Sequence, residues 1–114
     1  MDECLFCGIV RGEVPCDAVY EDEALLAFRD INPQADRHVL IIPKRHLDGL
    51  CGLEGVEDGL LARLLRAAAL VAKKEGIDKS GFRLVSNCGP DACQSVPHLH
   101  FHVLGGRPLS GQMG

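Results

Sequence analysis

His98-Leu99-His100-Phe101-His102-Val103-Leu104 holds three of the five histidines in a chain of 114 residues. Side chains alternate faces along a strand, so the three imidazoles share one face while Leu99, Phe101 and Val103 enter the core. Fully extended, successive rings would stand roughly 6.5–7 Å apart, a spacing at which each can touch a different atom of one phosphate-sized group. Imidazole is a competent nucleophile toward phosphorus and titrates near neutral pH, so its neighbours can also donate protons. Two other readings fit alternating histidines: a solvent-facing polar strand, and a metal site. A catalytic zinc commonly adds a carboxylate, and the nearest acidic residue along the chain is Asp91.

The segments on either side make a sheet protein. Short β-rich runs at Ala18–Tyr20, Leu25–Arg29, His38–Pro43, Arg83–Asn87 and His98–Leu104 predict strands. His38-Val39-Leu40-Ile41-Ile42-Pro43 is apolar at nearly every position, as in a central strand covered on both faces. Between Val56 and Glu75, Leu60, Leu61, Leu64, Leu65, Ala68, Val71 and Ala72 recur at helical spacing, and Gly76 stands where a C-cap glycine belongs. The apolar arc of that helix is wide enough to serve core and subunit contact alike. A weaker helical pattern covers Leu5–Arg11. Strands in hairpin-like succession with few helices predict an α+β domain with a largely antiparallel sheet.

Composition excludes several classes. Hydrophobic residues make up 46% of the chain and charged residues 25%, the balance of an ordinary globular domain; residues 1–114 are expected to form a single one. A net charge of −4 offers no basic field for a nucleic-acid backbone. No apolar run approaches a membrane span, and MDECLFCGIV lacks the pattern of a signal peptide. A cytoplasmic location is expected, with the six cysteines as thiols or metal ligands rather than disulfides. Cys4 and Cys7 form a CxxC pair; Cys16, Cys51, Cys88 and Cys93 are scattered.

The histidine run resembles the His-x-His-x-His signature of the histidine-triad superfamily. Gln94-Ser95-Val96, Gly105-Gly106-Arg107, Phe28-Arg29-Asp30-Ile31-Asn32-Pro33-Gln34 and His38-Val39-Leu40-Ile41-Ile42-Pro43-Lys44-Arg45-His46 extend the likeness to its nucleotide-binding-protein (Hint-like) branch, from about Cys4 to Arg107. The resemblance implies a five-stranded, mainly antiparallel sheet with two helices, paired into a homodimer. It implies hydrolysis of purine nucleoside 5′-phosphoramidates through a nucleotidyl intermediate on His100, with no cofactor required. His102 would hold phosphate oxygens, His98 would help to orient the centre, a further family histidine maps onto His38 on the neighbouring strand, and Ser95 would assist protonation of the leaving amine. Asp30 would take the ribose hydroxyls, Phe6, Ile9, Phe28, Ile31 and Leu40 the base, and Asn87 a phosphate or the ribose. From the residues alone, Phe6, Ile9, Phe28 and Leu40 read as core residues, and Asp30 equally as a turn former.

Two departures from the branch stand out. Cys93 replaces a common glycine, and the tail after Arg107 lacks the usual tryptophan. Cys4 and Cys7 resemble the CxxC of a zinc-carrying subset, which implies a structural zinc completed by His46 and His98; from spacing alone the pair is equally two free thiols. The rival functions are a dinucleoside polyphosphate hydrolase and a non-catalytic nucleotide-binding interaction module. Ser95 and Gly105-Gly106-Arg107 favour the phosphoramidase over the first, and an intact triad argues against the second.

Overall fold

The computed structural model describes residues 4–113. Helix α1 (Leu5–Val10) is followed by strands β1 (Ala18–Glu21), β2 (Leu25–Arg29) and β3 (Arg37–Pro43). Helix α2 (Asp58–Lys74), β4 (Phe82–Val85) and β5 (Phe101–Gly105) complete the chain, with single 3-10 turns at Leu50–Gly52 and Pro90–Ala92. The strands form one five-stranded sheet in the order β1-β2-β3-β5-β4, every neighbouring pair antiparallel. The α+β expectation holds, and the apolar run of β3 lies in the middle of the sheet. No helix among the described residues is long and apolar enough to cross a membrane.

Alternation along β2 and β3 divides the core between the two faces. Leu25, Ala27, Val39 and Ile41 pack with Leu64, Ala68 and Val71 of α2 and with Leu99 and Val103. Leu26, Phe28, Leu40 and Ile42 pack on the other face with Phe6 and Ile9 of α1. A one-residue slip in register would exchange the two cores, so the register is strongly specified.

Helix α2 ends as its sequence predicts. Gly76 adopts φ +76°, and the Ile77 N–H bonds the Ala72 carbonyl at 2.9 Å while the Gly76 N–H bonds that of Lys73 at 3.1 Å. This is the Schellman pattern, which satisfies carbonyls that the helix leaves over. Next to it, the buried Glu75 carboxylate meets the Arg29 guanidinium at 2.7 Å and fastens the helix end to β2. On the outer side Leu65 and Leu70 remain exposed, as do Phe82 and Leu84 on β4.

The histidine strand departs from its expected bounds: the ladder begins at Phe101, not His98. Its partner β3 ends at Pro43, which has no N–H to give a ladder. Before Phe101 the chain bends, and the Leu99 N–H bonds the Leu47 carbonyl instead. β4 likewise stops at Val85, two residues short of the expected Asn87.

Candidate active site

Alternation nevertheless keeps His98, His100 and His102 on the α1 side of the sheet. The Phe6 ring lies edge-on to His98 and His100, with ring centroids 5.8 and 5.1 Å apart. His100 and His102 lean together to a centroid distance of 5.1 Å, closer than the spacing expected for a flat strand. The three rings do not serve one cluster. His98 turns toward Cys4, Cys7 and His46, while His100 and His102 line a pocket of about 240 Å³.

Main-chain partners assign the tautomers. The His100 Nδ1–H donates to the His98 carbonyl at 2.7 Å, leaving the Nε2 lone pair free. The Gln34 N–H donates to His38 Nδ1 at 3.0 Å, so the His38 proton sits on Nε2 and is given to His102 Nδ1 at 2.9 Å. Neutral His102 therefore carries its own proton on Nε2. Burial holds His102 in the neutral form, down to about 4, with His100 and His38 adding to the effect. His38 is pushed down by burial as well, against the pull of the Asp30 carboxylate.

Asp30 follows β2 and faces the end of β3. One carboxylate oxygen accepts the Asn32 N–H at 2.8 Å, the turn-forming role, and the other lies 3.4 Å from His38 Nε2. The histidines thus have a carboxylate neighbour that no inspection of their own strand reveals. Asp30, His38 and His102 are close enough to suggest a metal cluster. The His38 nitrogen facing the others carries a proton, however, and the other nitrogen is taken by Gln34, so no ligand lone pair is left on that ring.

The pocket joins these polar groups to an apolar slot. Phe6, Ile9, Phe28, Ile31 and Leu40 line it together with Asp30, Ser95, His100 and His102. Ile31 does so from a nearly fully exposed position. Val14, Pro15, Cys16 and Val96 also line it and were not singled out in the sequence. Asn87 does not line the pocket: its side-chain N–H bonds the Ala92 carbonyl at 2.9 Å and braces the loop before Ser95. In that loop Cys93 takes φ 60° and ψ 41°, a left-handed conformation suited to the glycine it replaces.

The second cluster is built on the other end of the histidine run. His98 Nδ1 lies 3.3 Å from Cys4 Sγ, 3.6 Å from Cys7 Sγ and 3.2 Å from His46 Nδ1, and Cys7 Sγ lies 3.3 Å from His46 Nδ1. A tetrahedral zinc with ordinary bond lengths has N–N edges of about 3.4 Å and S–N edges of about 3.6 Å, so the four atoms fit it. The far nitrogens fit as well. His98 Nε2 donates to the Pro43 carbonyl at 2.9 Å, and His46 Nε2 lies 2.9 Å from Asp48 Oδ1. Those contacts fix each ring with its Nδ1 lone pair inward, as a metal ligand requires.

Comparison with known proteins agrees with this architecture. Residues 11–109 match the model of the HIT domain family. A 14 kDa zinc-binding protein of Zea mays is 51% identical over 96% of this chain and 87% of its own length. An adenylylsulfatase of Arabidopsis thaliana is 49% identical over 96% and 76%, and the purine nucleoside phosphoramidase of Escherichia coli strain K12 is 43% identical over 95% and 91%. The crystal structure of a HIT family hydrolase from Legionella pneumophila superposes with a TM-score of 0.94 at 45% identity, covering 98% of this chain and all of that one. With nearly its whole length matched in sequence and in fold, the chain belongs to the HIT family of hydrolases.

Proposed function

We propose that residues 1–114 form a single HIT domain that cleaves the P–N bond of purine nucleoside 5′-phosphoramidates through a nucleotidyl intermediate on His100. The observation that carries this reading is the His100 Nδ1–H bond to the His98 carbonyl, which leaves Nε2 as a lone pair at the wall of a nucleotide-sized slot. The base lies between Phe6, Ile9, Phe28, Ile31 and Leu40, and the free oxygen of Asp30 takes a ribose hydroxyl. His100 Nε2 attacks the α-phosphorus as the P–N bond breaks and its electron pair leaves with nitrogen. The Ser95 hydroxyl relays a proton to that amine, and the His102 Nε2–H bonds a phosphoryl oxygen. Water then displaces His100 from phosphorus, releasing the nucleoside monophosphate. His38 acts by holding the His102 tautomer, and Asn87 by bracing the loop that carries Ser95.

Cys4, Cys7, His46 and His98 are proposed to hold a structural zinc, which would supply a cross-link between α1 and the start of the histidine strand. The name of the maize relative supports this. The exposed Leu65, Leu70, Phe82 and Leu84 support a homodimer.

The name of the Arabidopsis relative raises a second reading, with a sulfate in place of the amine. The two differ in what the leaving group needs. An amine must be protonated as it departs, whereas sulfate departs as a stable anion. Adenosine 5′-phosphoramidate, adenosine 5′-phosphosulfate and a diadenosine polyphosphate should be offered to wild type, His100→Ala and Ser95→Ala in the presence of chelator. His100→Ala should lose about 10³-fold or more on every substrate that wild type turns over. Ser95→Ala should lose about 10–100-fold on the phosphoramidate and little on the phosphosulfate. A preference for the dinucleotide would favour the polyphosphate hydrolase. Nucleotide binding without turnover would leave an interaction module.

A further inference from the structure

Two cysteines that are far apart in sequence and absent from the site meet on the opposite side of the Ser95 loop. Cys51 sits in the Leu50–Gly52 turn and Cys88 just after β4, and their sulfurs share a hydrogen bond at 3.2 Å. Cys51 is exposed and Cys88 half-buried, at a cleft of about 300 Å³ between the Asp48–Gly52 and Cys88–Gln94 segments. A disulfide needs sulfurs about 2.05 Å apart, so closure asks for a shift of roughly 1.2 Å, within reach of side-chain rotation in two exposed loops.

The chain around the pair holds the two loops in this relation. The Gln94 side chain donates to the Asp48 carbonyl at 2.8 Å and accepts the Gly89 N–H at 2.9 Å, spanning both segments. A Cβ at Gly49 would come within 3.3 Å of that amide and 3.5 Å of Cys88 Sγ, so the glycine allows the close approach. The other cysteines are differently placed. Cys4 and Cys7 converge with His46 and His98, and among the described residues Cys16 and Cys93 are exposed with no thiol beside them.

We propose that Cys51 and Cys88 form a dithiol site that small disulfides of the glutathione class oxidise to an intramolecular disulfide. Cys88 is the attacking thiol. The thiol–thiol contact with Cys51, with backbone hydrogen bonding at Cys51 and Leu50 adding to it, holds Cys88 below the usual thiol range, while the same contact pushes Cys51 up. The Cys88 thiolate attacks one sulfur of RS–SR, and RS⁻ leaves with the bonding pair and takes up a proton. Cys51, deprotonated to the solvent, then attacks Cys88 Sγ and expels the second RS⁻. Two protein thiols are oxidised and one small disulfide is reduced to two thiols. The new bond ties the Asp48–Gly52 segment to the loop that Gln94 already clamps and that leads into Ser95. Excess thiol reverses it.

The test is peptide mapping of the full chain after equilibration in buffers of graded thiol-to-disulfide ratio. A Cys51–Cys88 cross-link, two hydrogens lighter, should accumulate as the ratio falls and vanish when reductant is restored. Tandem mass spectra distinguish Cys88 from Cys93 in the same peptide. In Cys51→Ser, Cys88 should stop at a stable adduct carrying one RS group, because nothing resolves it. If the two cysteines instead end as separate RS adducts, stay reduced at every ratio, or bond to other cysteines, the site as described does not exist. None of these readouts depends on His100 or on turnover, so failure here is separate from failure of the proposed reaction.

Discussion

Tautomer assignment at the site comes from the backbone, because His98, His100 and His38 each have one ring nitrogen committed to a carbonyl or an N–H. The sequence exposes the histidines and their shared face but not these partners, which come from Pro43, His98 itself and the Gln34 turn. Burial lowers His102 to about 4 and lowers His38 as well. Between pH 6.5 and 4 the unfolded chain binds protons that the folded chain refuses, so stability is full above about 6.5 and is lost as pH falls through that window. Thermal melts from pH 7.5 to 4.5 should show this decline, and His102→Gln should flatten it; an identical slope in the variant would refute the assignment. Cys93 offers a second residue-scale prediction. Its left-handed conformation costs a non-glycine residue about 1–2 kcal/mol, partly offset by the flexibility glycine brings to the unfolded chain. Cys93→Gly should therefore stabilise the protein by about 0.5–1 kcal/mol in urea denaturation.

Elements with long periodic patterns were legible to within two residues: α2 by its leucines and by Gly76, and β3 by its unbroken apolar run. The misplaced ends of β4 and β5 share one cause, which is that a strand's length depends on its partner's hydrogen bonds and not on its own pattern. The apolar alternation runs back to His98, yet pairing with β3 stops at Ile41 and Phe101, two residues short of Pro43, which has no N–H to extend the ladder. The site was legible to the same degree. Residues on β3 and β5 could be placed, whereas Asn87 turned away to hold Ala92 and the wall from Val14 to Cys16 carried no pattern at all. At this scale the contact most open to test is Glu75 with Arg29, which joins the end of α2 to β2. The Glu75 side chain is 3% exposed and that of Arg29 43%. Removing the half-exposed partner leaves the buried carboxylate with Arg37, 3.8 Å away, as its one cationic neighbour among the described residues. Arg29→Ala should cost about 1–2 kcal/mol by chemical denaturation, and the double variant Arg29→Ala, Glu75→Gln should recover part of it. No cost in the single variant would mean that solvent already satisfies the carboxylate.

Across the whole molecule, the Cys4, Cys7, His46 and His98 cluster is where sequence-distant parts meet, since α1 touches the sheet through Phe6 and Ile9, contains Cys7 and is capped by Cys4. Helix α1 has only six residues, too few to be stable by itself, so its position depends on that packing and on the cluster. The same helix lines one wall of the pocket, so a zinc bound there would act on nucleotide affinity more than on chemistry: the His100 Nδ1 bond goes to the backbone carbonyl of His98, not to its ring. Metal analysis of the purified chain should find one zinc per chain, lost in Cys7→Ser. Its removal should lower the melting temperature by roughly 10 °C, the equivalent of about 2 kcal/mol for a domain of this size. KM for the phosphoramidate should then rise several-fold while kcat changes little. A fall in kcat with KM unchanged would place the cluster's influence on the nucleophile instead, through the carbonyl that holds it. Absence of zinc from the purified chain, with Cys4 and Cys7 both alkylated readily in the native state, would make the four side chains a hydrogen-bonded group and leave α1 held by its apolar packing, chiefly Phe6 and Ile9.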